Sequence, residues 1–216
     1  MDNLALLQKI LIWTPGVLLA VTLHEWGHGF AATLLGDPTP RRTGRLTLNP
    51  IAHIDPVWSI LVPLVLLAMG PFVFGGAKPV LVDPRYFRHG RRAMFWVAAA
   101  GPMMNLLLAL ASALLVLLTG LLPVTATVYG WVAAMALASI QMNVMLAVFN
   151  LLPMLPLDGG RMVMTLLPDA LARLWSSTER IGLVVVMALA LSGWLSPVLN
   201  PLQRSLLRPL IDLAGL

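Results

Sequence analysis

His24-Glu25-Trp26-Gly27-His28 is the segment of this chain best equipped for chemistry. On a helix, residues four apart share a face, so the imidazoles of His24 and His28 project together. That spacing lets two ring nitrogens grip one Zn²⁺, with Glu25 beside them to handle a proton. From Leu11 to Leu35 the chain is almost wholly apolar, and these three are its only ionisable residues. Charged groups at membrane depth are expensive and mark function by default. The residues therefore point to a hydrolytic metal site below a lipid surface. The plainer alternative is two helix histidines satisfied by neighbouring backbone, for which apolar surroundings supply few partners.

A catalytic zinc site needs a third protein ligand and keeps its fourth position open for water. The chain has no Cys, so that ligand must be Asp, Glu or another His. It must come from another segment that reaches the same depth.

Composition makes this an integral membrane protein. The 216 residues are 59% hydrophobic and only 11% charged, where a soluble domain carries about 25% charged residues. Between Ala93 and Leu157 there is no Asp, Glu, Lys, Arg or His. That stretch exceeds one span of about 20 residues and fits two. Without Cys, disulfides and thiolate metal sites are excluded. The N-terminus shows neither the basic region nor the small-residue cleavage site of a signal peptide. The net charge is +5, and in a membrane protein the placement of those charges matters more than their sum.

The elements that must position the site follow from hydropathy and breakers. A first span is expected over Leu4–Leu35, stopped by Gly36-Asp37-Pro38. Further spans are expected over Ala93–Leu122, Val128–Leu152 and, shorter, Ile181–Leu195. Val57 to Phe74 is apolar but cut by Pro63 and by Gly70-Pro71, and reads as re-entrant. Alternation at Leu46 and Leu48 suggests a short strand, and Ala77–Val82 reads as a second extended piece. Pro168 to Arg180 is more polar, and the tail from Pro201 is mildly amphipathic. The expected fold is an all-α polytopic membrane protein with about four to six transmembrane helices, plus short membrane-associated β-strands or a re-entrant segment. A single domain spans 1–216, with a catalytic core over about residues 4–167 and C-terminal helices over about 181–216.

Basic residues at 41, 42, 45, 85, 88, 91 and 92 place their segments in the cytoplasm and touch anionic headgroups. The Leu35 end of the first span is then cytoplasmic. His28 lies about 10 Å and His24 about 16 Å along the helix from that end, at about 1.5 Å per residue. Asp158 fits the missing ligand. It follows a span that returns to the cytoplasmic side, and Pro153 and Pro156 break the helix before it. Taken alone, Asp158 reads as readily as a cap on the helix near Arg161, or a partner of Arg161, as it does as a metal ligand. Beside an HExxH motif that lacks a carboxylate, it reads as a ligand.

The HExxH in the first span, Ala100-Gly101-Pro102-Met103-Met104-Asn105-Leu106, and Asn150-Leu151-Leu152-Pro153-Met154-Leu155-Pro156-Leu157-Asp158-Gly159-Gly160 together resemble the site-2 protease family of intramembrane zinc metalloproteases. The resemblance covers about Leu19 to Met162. The stretches Gly44 to Pro50 and His53 to Pro56 look like its compact prokaryotic branch, without a PDZ or CBS domain. The resemblance implies one Zn²⁺ per chain, held by His24, His28 and Asp158, with Glu25 as catalytic acid and base. It also implies a role for Asn150 in substrate or oxyanion contact. Transmembrane protein substrates in a prokaryotic cell membrane would be cut toward the cytoplasmic side.

Other residues are expected to support the site. Asn143 lies two turns from Asn150 on one helix face and either faces the cavity or bonds another helix. Some of Asn49, His53, Asp55 and the Asn150 region are expected to line a water route from the cytoplasm, and Asn49 and His53 to support the metal or contact substrate. The substrate helix must unwind, and an exposed strand edge at Leu46–Asn49 or Val80–Val82 would take it by β-augmentation. The partners expected are the lipid bilayer and protein substrates, with no nucleic acid. Two other function classes fit the same residues: a metal transporter using the His and Asp site, and an inactive protease-like scaffold.

Overall fold

A computed structural model describes residues 3–62, 76–88 and 90–216. The long elements are α1 (Asn3–Leu34), α3 (Arg91–Gly120) and α4 (Ala126–Asn150). Shorter helices are α2 (Thr39–Arg42), α5 (Asp158–Leu166), α6 (Asp169–Ser177), α7 (Glu179–Leu191) and α8 (Ser196–Ala214). Helix is the only way to cross hydrocarbon with an open chain, because each peptide group then bonds within its own segment. The ends are built accordingly. Asp37 N–H donates to Ala32 O at 2.9 Å and Gly36 N–H to Thr33 O at 3.2 Å, closing α1 with a Schellman pair. Thr125 Oγ1 accepts from Val128 N–H and caps α4.

Helices α1, α3 and α4 pack mutually, α5 lies against α3, and α8 covers α3 and α4. The main core joins Ala109, Ala113 and Val116 of α3 to Ala133, Ala136, Ile140, Val144 and Val148 of α4. Lipid is as apolar as leucine, so close approach of small residues replaces the hydrophobic effect as the source of association. Outward-facing leucines such as Leu7, Leu19, Leu107, Leu115 and Leu118 remain exposed for lipid.

Among the described residues, Leu4–Leu34, Arg91–Gly120 and Ala126–Asn150 are long and apolar enough to cross a membrane. A fourth is reached if α6 and α7, bent by 60°, form one broken span. The last span expected over Ile181–Leu195 is thus the second limb of that pair, and α8 is an amphipathic helix laid on the bundle. Most of the proposed re-entrant stretch, Val57 to Phe74, lies outside the described residues; its first part is a helical turn, Pro56–Leu61.

The strands require correction, since none forms among the described residues. Arg45 and Leu46 both donate to Pro40 O, at 2.9 and 3.1 Å. Thr47 Oγ1 and Asn49 Oδ1 then accept from the backbone two residues on, giving consecutive turns. Over 76–83, Lys78 N–H donates to His53 O and Asp83 N–H to Asp37 Oδ2. Turns, side chains and the single long-range bond from Lys78 to His53, rather than a ladder, hold this backbone.

Candidate metal centre

α1 carries His24 and His28 into the bundle, and α5 begins at Asp158 against the same point. His24 Nε2 and His28 Nε2 lie 3.1 Å apart. Asp158 Oδ2 lies 3.2 Å from the first and 3.4 Å from the second. These are the metal-ligating side chains that converge among the described residues.

The outer face of each imidazole fixes its tautomer. His28 Nδ1 is 2.7 Å from the Val97 carbonyl, which can only accept. His24 Nδ1 is 2.6 Å from Asn105 Oδ1, likewise an acceptor. Both rings therefore carry their proton on Nδ1 when neutral, and both Nε2 atoms present lone pairs to one another. In that neutral state neither has a proton to give Asp158, whose buried Oδ2 has no hydrogen-bond partner among the described residues. Three electron-rich atoms thus meet where water is scarce. A divalent cation resolves that repulsion, and a set of two imidazoles and one carboxylate suits zinc with a position left open.

Glycine makes the convergence possible. A Cβ on Gly101 would run into the His28 ring and lie 2.7 Å from His24 Cε1. A Cβ on Gly159 would strike the carbonyls of Leu151 and Leu152, so α5 can fold back beneath the broken end of α4 only with glycine there. Arg161 does not pair with Asp158; its guanidinium is 3.6 Å from Glu179.

Glu25 sits beside the cluster on α1, half-buried, and its Oε2 accepts from Val80 N–H at 2.9 Å. The 76–83 segment is thereby tied to the motif. Its far end is tied too, by Asp83 N–H to the buried Asp37 at 2.7 Å. The Arg85 guanidinium, bonded to Asp83, holds that carboxyl below the usual carboxylate range.

The remaining candidates take other places. Asn150 Nδ2 donates to Leu146 O within α4. Asn143 is fully buried and bonds Ser139 and Asn105. Asn49 caps the turn Pro50–His53. His53, buried, is 2.9 Å from Thr47 O through Nε2 and stands outside the metal cluster, while its Nδ1 has no partner among the described residues. Asn105 is the contact to His24 that spacing alone did not single out. Its signal was an amide in an apolar span, which must bond something, but sequence does not say what.

Peptidase family M50 matches residues 122–193, which include Asp158. The chain is 36% identical over 198 residues to "Putative zinc metalloprotease YwhC" of Bacillus subtilis, covering 88% of this chain and 84% of that protein. Rip2 of Mycobacterium tuberculosis, described in the same terms, is 33% identical over 202 residues, 93% of this chain and 73% of its own. Its counterpart in Mycolicibacterium smegmatis is 31% identical over 201 residues. No solved structure matches. A zinc-compatible donor set, long apolar helices and relatives aligned over most of both chains lead to one assignment: the chain belongs to the M50 peptidases, the site-2 protease family of zinc metalloproteases.

Proposed function

We propose that this metalloprotease cuts transmembrane segments of other proteins within the membrane, toward its cytoplasmic face. The observation that supports this reading best is the meeting of His24 Nε2, His28 Nε2 and Asp158 Oδ2 inside an apolar helix bundle. His24, His28 and Asp158 would hold the ion. Bound zinc supplies a Lewis acid that acidifies a water and polarises a peptide carbonyl.

The chain's own residues do the rest. Glu25 takes the proton from the attacking water and returns it to the leaving amine as the C–N bond breaks. The Val80 N–H, 2.9 Å from Oε2, fixes the plane of that carboxylate. Asn150 commits one amide N–H to Leu146 O, and its second N–H is suited to a substrate oxygen. The arginines near both ends of 39–92 favour the cytoplasmic side for this end of the bundle. A substrate helix must surrender its internal hydrogen bonds before attack. The irregular backbone of 76–83, already held to Glu25, offers main chain beside the motif to receive an unwound segment.

The test is cleavage of single-span substrates in detergent or liposomes by wild type and Glu25→Gln. Wild type should cut within the apolar span, and Glu25→Gln should retain zinc and lose turnover. Cleavage that survives in Glu25→Gln, or cuts confined to soluble peptide, would overturn the reading.

A further inference from the structure

Asn105 on α3 and Asn143 on α4 contribute no atom to the metal cluster, yet both are 0% exposed. A hydrogen-bond chain runs through them from α4 to α1. Asn143 Nδ2 donates to Ser139 O at 2.8 Å and reaches Ser139 Oγ at 3.3 Å. Asn143 Oδ1 accepts from Asn105 Nδ2 at 2.8 Å. Asn105 Nδ2 also donates to Ala20 O at 3.1 Å. That leaves Asn105 Oδ1 facing His24 Nδ1 at 2.6 Å.

An amide side chain can turn over and exchange its oxygen for its NH₂. Neither of these can. The Ser139 and Ala20 carbonyls only accept, and they sit at opposite ends of the pair. Turning Asn143 would press its oxygen against Ser139 O. Turning Asn105 would press its oxygen against both Ala20 O and Asn143 Oδ1. In a buried, apolar setting each such pairing is strongly unfavourable.

We infer that Asn105 and Asn143 form an orientation lock for His24, acting as positioning residues that keep its proton on Nδ1 and its Nε2 lone pair on the metal position. The inference rests on the zinc reading above and adds how one ligand is kept ready. Without the lock, the His24 proton is free to sit on Nε2, where it would occupy the metal position. His28 has its counterpart in the Val97 carbonyl, which cannot turn. The lock spans three helices, so it also ties the ligand to the packing of α1 against α3 and α4.

The test is zinc affinity of the full chain by chelator competition for wild type, Asn105→Leu, Asn105→Asp and Asn143→Leu. Asn105→Leu removes the acceptor and should weaken zinc about 10–100-fold. Asn105→Asp keeps an oxygen for His24 Nδ1–H but cannot donate to Ala20 or Asn143. If the lock acts on His24, Asp recovers most of the affinity that Leu loses. If Asn105 only bridges helices, Asp is as poor as Leu, and the inference fails. Asn143→Leu removes one of the two contacts that oppose turning of Asn105, leaving only Ala20 O, and should give an intermediate loss. In zinc-free protein, ¹⁵N spectra should show His24 as the Nδ1–H tautomer in wild type and a mixture in Asn105→Leu. A single tautomer in both overturns the lock. Wild type that binds no zinc refutes the underlying reading instead, and the ¹⁵N comparison still decides the lock.

Discussion

The Val80 amide donates to the Glu25 carboxylate at 2.9 Å, joining an irregular segment to a residue of the HExxH helix. A hydrogen bond to a charged group is worth about 1.5–3 kcal/mol. It also sets which way the carboxylate faces. Val80→Pro deletes that donor, reshapes a buried side chain beside Gly29, and follows Pro79, where the local backbone is already restrained. We expect kcat to fall about tenfold or more, a share of that bond energy, with zinc content unchanged. Steady-state cleavage with parallel metal analysis checks this; an unaltered kcat would show that Glu25 needs no such support.

Gly101 leaves no room for a side chain against the two imidazoles. Gly101→Ala should push α3 from α1 and displace the His24 and His28 rings. Overpacking of this kind costs about 1–3 kcal/mol. A lowered thermal midpoint in detergent, together with loss of zinc, is the expected pair of results. Retained zinc at unchanged affinity would mean that the helices move apart without harm to the site.

Gly159 faces the carbonyls of Leu151 and Leu152. Gly159→Ala should lift the start of α5 and carry Asp158 away while the HExxH helix stays intact. Zinc affinity should drop well below wild type, yet circular dichroism should show the same helix content. Normal zinc affinity in this variant would argue that α5 is free to shift.

Removing the metal should loosen the bundle, because His24, His28 and Asp158 would join α1 to α5 through it. A ligand that binds only the folded state stabilises by about 2.7 kcal/mol at a hundredfold excess over its Kd. Chelation should lower the thermal midpoint and abolish cleavage, and added zinc should restore both. A midpoint indifferent to chelator would separate the metal from the fold.

Much of this was legible in the residues. Spacing alone put His24 and His28 on one face, and the want of a third ligand in a chain without Cys led to Asp158. The spans followed from uninterrupted apolar runs. Other parts were not legible, for physical reasons. Leu46 and Leu48 alternate as a strand would, but the side chains of Thr47 and Asn49 capture the backbone first. Asn143 has helical spacing from Asn150, yet its neighbour in space, Asn105 on another helix, decides its bonding. Periodicity reports which face a residue occupies, not which polar partner waits across the interface.

The claim on which everything else depends is that His24, His28 and Asp158 together hold the catalytic zinc. Metal analysis of purified wild type and Asp158→Ala tests it most directly. The account predicts one zinc per wild-type chain and a loss of zinc in Asp158→Ala, with both histidines in place. Full zinc occupancy in Asp158→Ala would contradict it.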